Sequence, residues 1–328
     1  TTVLLSSVDA FERRIGNRGL SVLGVVIILL GGVFTFLGSF ISQISQQAQD
    51  FSQRVDQNTM SNEFKILGER INSSLPSFMK TDDSSSDYFA NKLTDITQAV
   101  LGSLGSLVST VGNFMFIAVM VFIFTIILLS EYHTFKKALV NAIPNKYFEV
   151  GLKLIYNIEK SVSSYLRGQF LSAASVAGMS IAGLLLLNFF GANLTLVIFI
   201  GIIAGLANLI PLIGPFVGMV PALLIAFMNN LGNEAATAHM FLGTIPSPFF
   251  SIDIIFMFLV VQQIEGNLIT PALVGKSVGL HPMLVMIVLL IGGTLLGPLG
   301  MLFAVPATGV IKVILNEIAF IRKNAHLL

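Results

Sequence analysis

The sequence predicts an all-α, polytopic transmembrane helix bundle with short, Gly/Pro-broken helices and an extracytoplasmic helical module. Three observations predict it. Of 328 residues, 54% are hydrophobic and 11% charged, where soluble domains carry about 25% charge. The mean hydropathy is +0.86. The charges are also segregated: none falls between Arg18 and Asp50, between Asp95 and Glu131, over 168–233 or over 277–311. A spanning helix needs ~20 apolar residues at ~1.5 Å each, so these gaps hold one, one, three and two spans. An eighth, at 249–264, carries a single charge, Asp253.

Residues 1–41 are a lead-in with Arg13, Arg14 and Arg18 followed by a first span at 20–41. The chain begins with Thr1 rather than Met, and residues are expected to precede it. Residues 42–105 read as a water-exposed, amphipathic module. Ile41, Ile44, Ala48, Phe51 and Val55 recur at helical spacing, as do Phe89, Leu93, Ile96, Val100 and Leu104, around an acidic polar background. A span at 106–129 follows. Residues 130–167 are basic, and Phe148, Leu152, Ile155, Ile158, Val162 and Tyr165 share one face, as in an amphipathic helix lying along the membrane surface or against the bundle. The core, 168–316, holds spans at 170–190, 194–209, 215–230, 249–264, 281–296 and 299–315. A tail, 317–328, closes the chain.

Alternating the spans places thirteen of the 18 Lys and Arg on the side of both chain ends and of 130–167. The positive-inside rule makes that side cytoplasmic and 42–105 extracytoplasmic.

Several chemistries drop out. There is no Cys, hence no disulfide or thiolate chemistry. A net charge of +1 gives no basic surplus for nucleic acid. Gly275-Lys276-Ser277 ends like a P-loop, but Thr270 stands where its first glycine belongs. Neither His-Glu-x-x-His nor Gly-x-Ser-x-Gly occurs. No enzyme, ATP-driven pump or cofactor is expected.

Function is expected at breaks inside the apolar sequence. Asn208-Leu-Ile-Pro211-Leu-Ile-Gly214-Pro215 reads as helix, break and helix. Gly297-Pro298-Leu-Gly300 repeats the design, with Pro306 beyond it, and Gly214-Pro215-Phe-Val-Gly218-Met219 is its loose internal match. The third break is Gln262-Gln263-Ile-Glu265-Gly266-Asn267-Leu-Ile-Thr270-Pro271. Paired Gly/Pro interruptions point to a transporter site, although each Gly-Pro alone also suits a tight hairpin. An ionisable residue at membrane depth is a functional candidate, so Glu265 comes first, as a proton or Na⁺ site. Its plainer reading is an interfacial ion pair with Lys276. Asp253 and His281 are weaker, and a lone His more often caps structure. Gly201-x-x-x-Gly205, Gly214-x-x-x-Gly218 and Gly293-x-x-x-Gly297 suit close helix contact.

These stretches resemble signatures of the autoinducer-2 exporter family of bacterial membrane proteins. Asn208-Leu-Ile-Pro-Leu-Ile-Gly-Pro215 is similar to its Ile-Pro-x-Ile-Gly turn. Glu265-Gly-Asn-Leu-Ile-Thr-Pro271 with Val274-Gly-Lys-Ser-Val-Gly-Leu-His-Pro282 resembles the next signature, and 292–306 the last; Tyr165-Leu-Arg-Gly-Gln169 also fits. The resemblance is strong over 140–328. Family members usually open with a further hydrophobic hairpin before the counterpart of residue 10, which this chain lacks. The resemblance implies a secondary transporter in the bacterial inner membrane that exports a small polar solute, or a sodium(lithium)/proton antiporter. It also implies a homo-oligomer, a pentamer among the options, and an elevator-like motion.

The expectation is thus a transporter without ATP. Asn208, Gln262, Gln263, Glu265 and Asn267 would contact the solute or ion, with no metal expected beyond Na⁺ at Glu265. Pro211, Gly214, Pro215, Gly266, Pro271, Gly297, Pro298 and Pro306 would shape the gate. The competing class is a membrane scaffold acting through 42–105.

Overall fold

A computed structural model describes residues 2–54, 120–230, 233–273 and 279–323. Most of the 42–105 module, part of the 106–129 span, and Lys276 lie outside the described residues. The elements are α1 (Thr2–Ile15), α2 (Arg18–Arg54), α3 (Met120–Ser130), α4 (Tyr132–Asn141), α5 (Phe148–Phe189), α6 (Val197–Ala207) and α7 (Gly214–Asn230). There follow α8 (Glu234–Thr237), β1 (Met240–Phe241), β2 (Ile245–Pro246), α9 (Ser251–Ile264), a π-turn (Glu265–Ile269), α10 (Thr270–Leu273) and α11 (Pro282–Lys323). Four helical stretches are long and apolar enough to cross a membrane: Arg18–Gln43, Phe148–Phe189, Pro248–Leu273 and Met283–Phe320. The chain is therefore a mostly helical, multi-pass membrane protein. The expectation of helix alone misses one small feature: Met240–Phe241 pairs antiparallel with Ile245–Pro246.

The amphipathic helix expected in 130–167 and the span at 170–190 are joined. α5 runs unbroken over 42 residues, or ~63 Å, about twice the hydrocarbon thickness. Its polar first half must stand clear of the hydrocarbon. There Glu159 accepts hydrogen bonds from Tyr132 and, at 2.7 Å, from Lys136 of α4. The bond to Glu159 raises the Lys136 pKa above the usual lysine value, so this end of α4 stays charged and tied to α5. Nearby, Arg18 donates to the Leu129 carbonyl at 3.1 Å, closing the end of α3, and bonds Glu12 at 3.1 Å. Val8, Val22, Val25, Val26 and Leu129 are buried beneath these contacts.

The densest packing lies where α5, α6, α7 and α9 meet, around Val176, Ile200, Ala204, Ala222 and Phe258. Small residues permit it. A Cβ at Gly205 would stand 2.6 Å from the Ala173 carbonyl of α5, and one at Gly218 would stand 2.6 Å from the Ala204 Cβ. Without a hydrophobic drive between helices in lipid, this close backbone approach is what holds such a bundle.

The expected spans at 281–296 and 299–315 form a hairpin. Gly297 has φ +61° and ψ −144°, a conformation that favours glycine, and Pro298 starts the return arm. Gly292 faces Gly300, Gly293 faces Met301, and Lys312 donates to the Gly279 carbonyl at 2.5 Å. The first arm, 282–296, reaches only ~22 Å. A side chain at 300 would strike the Gly292 carbonyl. Gly300→Val is therefore expected to lower the melting temperature in detergent, at a cost of ~1–3 kcal/mol typical of overpacking. Gly24→Ala, where a Cβ meets nothing within 4 Å, is the control that should leave it unchanged.

Candidate functional site

Asn208 closes α6 and begins the break seen in the sequence. α6 stops at Ala207 and α7 starts at Gly214, with Pro211 in the turns between and Leu212 at φ +73°. Pro215 occupies the first turn of α7, where its missing N–H costs nothing. Gly214 has to be glycine: a Cβ there would lie 2.5 Å from the Asn208 Cβ and 2.6 Å from the Ala204 carbonyl oxygen. The Asn208 side chain is thus pressed into place from behind. Its backbone carbonyl, an orphan of the helix end, accepts a hydrogen bond from Gln169 of α5 at 2.5 Å.

The stretch 262–271 is not the interruption that Gly266 and Pro271 suggest. The helix continues, widened through the π-turn at Glu265–Ile269. In an α-helix the residue five positions on is turned ~140° away. The i→i+5 geometry of a π-turn removes most of that offset. Thr270 consequently reaches back to Glu265 and donates to its Oε1 at 2.6 Å. Pro271 has no N–H to lose in the short α10 that follows.

Glu265 is 1% exposed and Asn208 fully buried. Besides Thr270, Glu265 Oε1 accepts from Ser172 Oγ at 3.2 Å and Asn208 Nδ2 at 3.4 Å. Asn208 Nδ2 also donates to Ser172 Oγ at 3.1 Å. One carboxylate oxygen is thus held by α5, the α6 end and the start of α10 together. The remaining oxygens are not satisfied. Glu265 Oε2, Asn208 Oδ1 and Gln262 Oε1 are buried without a hydrogen-bond partner. All three only accept, so what they lack is a proton, another donor or a cation. Such neutral and anionic oxygens suit hard cations. Among the described residues no group of three or more His, Cys, Asp or Glu forms a metal cluster.

The structure brings Asn208 and Glu265 together, with Gln262 three residues before Glu265 on the same helix, and Pro211, Gly214 and Pro215 lie in the break that follows Asn208. It separates the rest. Gln263 and Asn267 bond to one another at 2.9 Å on an exposed face, beside Phe256, Leu259 and Val260. Each stands two residues from Glu265 along the helix, which turns it outward. Among the described residues, Gly297, Pro298 and Pro306 supply no hydrogen bond to the Glu265 cluster; the hairpin instead packs on Tyr165 through Leu289 and Val305. Sequence reasoning passed over Ser172, and it met Gln169 and Thr270 only inside motifs, not as site residues. The available signal was Gln169 and Ser172 three residues apart on one helical face, inside a charge-free stretch.

The other two ionisable candidates have local roles. Asp253 accepts from Ser247 Oγ at 2.5 Å and faces His239 Nε2 at 3.4 Å, pinning the loop before α9. His281 Nδ1 accepts from the Met283 amide at 3.3 Å, capping α11.

Comparison with known proteins gives a consistent result. Residues 1–320 match the pattern described as "AI-2E family transporter". The chain is 27% identical to "Putative transport protein YueF" of Bacillus subtilis over 88% of its own length and 68% of the relative's. It is 29% identical to "Putative transport protein YrrI" of the same organism over 94% and 80%. Over a shorter part, 36% of this chain and 30% of the relative, it is 29% identical to "AI-2 transport protein TqsA" of Escherichia coli.

Proposed function

The chain belongs to the AI-2E transporter family, a family of transporters and not of enzymes, and from that premise we propose that it is a secondary carrier moving a small polar solute across the bacterial inner membrane, coupled to a cation bound at Glu265. The observation that carries this reading is the buried carboxylate with one oxygen held by three donors and the other unpartnered. A carboxylate in the membrane core is costly to keep charged. A proton or Na⁺ arriving at Oε2 neutralises it and satisfies the unpaired acceptors near it. The cation's departure restores the charge and makes the site unlike itself, which is the differential interaction that any coupled transition requires.

Simple exchange of Na⁺ or Li⁺ for H⁺ at Glu265 is the second reading. The acceptor-only character of the open oxygens favours it, because a hydroxylated solute could bring donors but needs none of the charge. The name of the Escherichia coli relative supports an autoinducer-2-like solute for the first reading. A scaffold role gives the unpartnered carboxylate oxygen no use. Both chain ends on the cytoplasmic side, an extracytoplasmic 42–105 and assembly as a homo-oligomer complete the proposal.

Purified protein in sealed liposomes tests it. An imposed pH or Na⁺ gradient is expected to drive uptake of a solute from a panel of small polar compounds, or Na⁺ against H⁺. Absence of any gradient-driven flux in either assay would overturn the reading.

A further inference from the structure

A second polar region lies on the same long helix. Asn157, Lys160, Ser161 and Ser164 of α5 and Asn316 and Glu317 of α11 line an open cleft of about 440 Å³. Lys153 and Glu317 bridge its two walls at 3.0 Å. The face of α5 that lines this cleft does not end there. Ser161, Tyr165, Gln169 and Ser172 follow at steps of four, four and three, one beneath another on a helix. From Ser161 to Ser172 this line covers ~16 Å, and Ser172 donates to Glu265.

Tyr165 interrupts the line. Ser164 before it is exposed, whereas Tyr165 is 2% exposed and packed with Leu289 and Val305 of the hairpin. Its hydroxyl is buried without a partner. A buried unpaired hydroxyl is rare enough to need a reason. A ring that swings aside into a wetted passage would find that partner in water or in the passing solute.

We propose that the polar cleft between α5 and the second arm of α11 is the aqueous approach to Glu265, and that Tyr165, clamped by Leu289 and Val305, is the gate between them. The inference rests on the reading of Glu265 as the site of the transported or coupling species. It gives that site a single side of access in this conformation, the side of residues 130–167. The approach is lined by hydroxyl and amide groups, with Lys160 and the Lys153–Glu317 pair at its mouth. Such a lining passes water, small hydroxylated solutes and hydrated monovalent cations.

The chain contains no Cys, so single-cysteine reporters need no background removal. Ser164→Cys and Ser172→Cys would be treated in sealed vesicles with a membrane-impermeant methanethiosulfonate. Ser164→Cys is expected to react quickly and from one face only. Ser172→Cys should react at least about tenfold more slowly, and Tyr165→Ala should raise its rate about tenfold from that same face, because thiol reactivity follows access. Tyr165→Phe keeps the ring and should leave Ser172→Cys slow. Should Tyr165→Ala fail to fold, Leu289→Ala with Val305→Ala removes the opposite wall and must give the same acceleration. Three results would each overturn the gate: labelling of Ser172→Cys from the opposite face, no change on truncating either wall, or equal acceleration by Tyr165→Phe. The labelling reads access and not flux. A carrier that transports nothing in liposomes but shows this pattern would lose its proposed function and keep its gate.

Discussion

Glu265→Gln is expected to cut gradient-driven transport by about tenfold to a hundredfold while leaving the protein as stable as before, or more so. Glutamine matches glutamate in size, so the packing around α9 and the π-turn has no reason to change. The amide oxygen can still accept from Thr270, Ser172 and Asn208, which now hold Oε1. The amide nitrogen brings a donor beside Asn208, whose Oδ1 is unpaired. What disappears is the charge, and with it the ability to take up and release a proton or hold Na⁺. Losing a charged partner of ~1.5–3 kcal/mol lowers coupled flux by about tenfold to a hundredfold. The desolvation of a buried carboxylate disappears at the same time, which favours the folded state. Flux in liposomes and melting in detergent should therefore part company. Equal flux from Glu265→Gln and the parent would remove Glu265 from the mechanism.

Gly214→Ala is expected to impair transport nearly as much, by another route. The added Cβ would meet the Asn208 Cβ at 2.5 Å and the Ala204 carbonyl oxygen at 2.6 Å. Neither is the far end of a flexible side chain, so the start of α7 or the end of α6 must move. Asn208 then loses its approach to Glu265 and Ser172. Here stability should fall along with flux, by ~1–3 kcal/mol for a forced fit. The pair of variants distinguishes charge from placement at one site. A Gly214→Ala protein with parental flux would show that the Asn208 position is not needed.

The amount of this arrangement that is legible in the sequence follows from what each feature costs. Charges are expensive in hydrocarbon, so the gaps between them mark the apolar helices. Gly297 and Pro298 announce the hairpin tip because few other residues accept that backbone. Asn208 through Pro215 reads as a break for the same reason. The continuity of α5 is less visible. Its polar and apolar halves look like two elements because their surroundings differ, and no proline separates them at Gly168. The π-turn is less visible still. Gly266 and Pro271 signal irregularity, but a break and a widened turn use the same residues. That difference decides which side chains meet: Thr270 joins Glu265, whereas Gln263 and Asn267 turn away. Ser172 and Gln169 were hidden by their ordinariness, since serine and glutamine occur on many helices and only the partner across the interface gives them meaning.

The brevity of α6 has an electrical consequence. Its eleven residues extend ~16 Å, roughly half of the hydrocarbon slab. Its end lies at Asn208, beside the one carboxylate of the site. A membrane potential does not fall evenly through such a protein; it falls where water stops. If the cleft along α5 carries water to Tyr165, the voltage is compressed into the short remainder. Each elementary charge crossing it still gains ~2.3 kcal/mol per 100 mV, but over a steeper slope. A small displacement near Glu265 would then sense a large fraction of the membrane voltage.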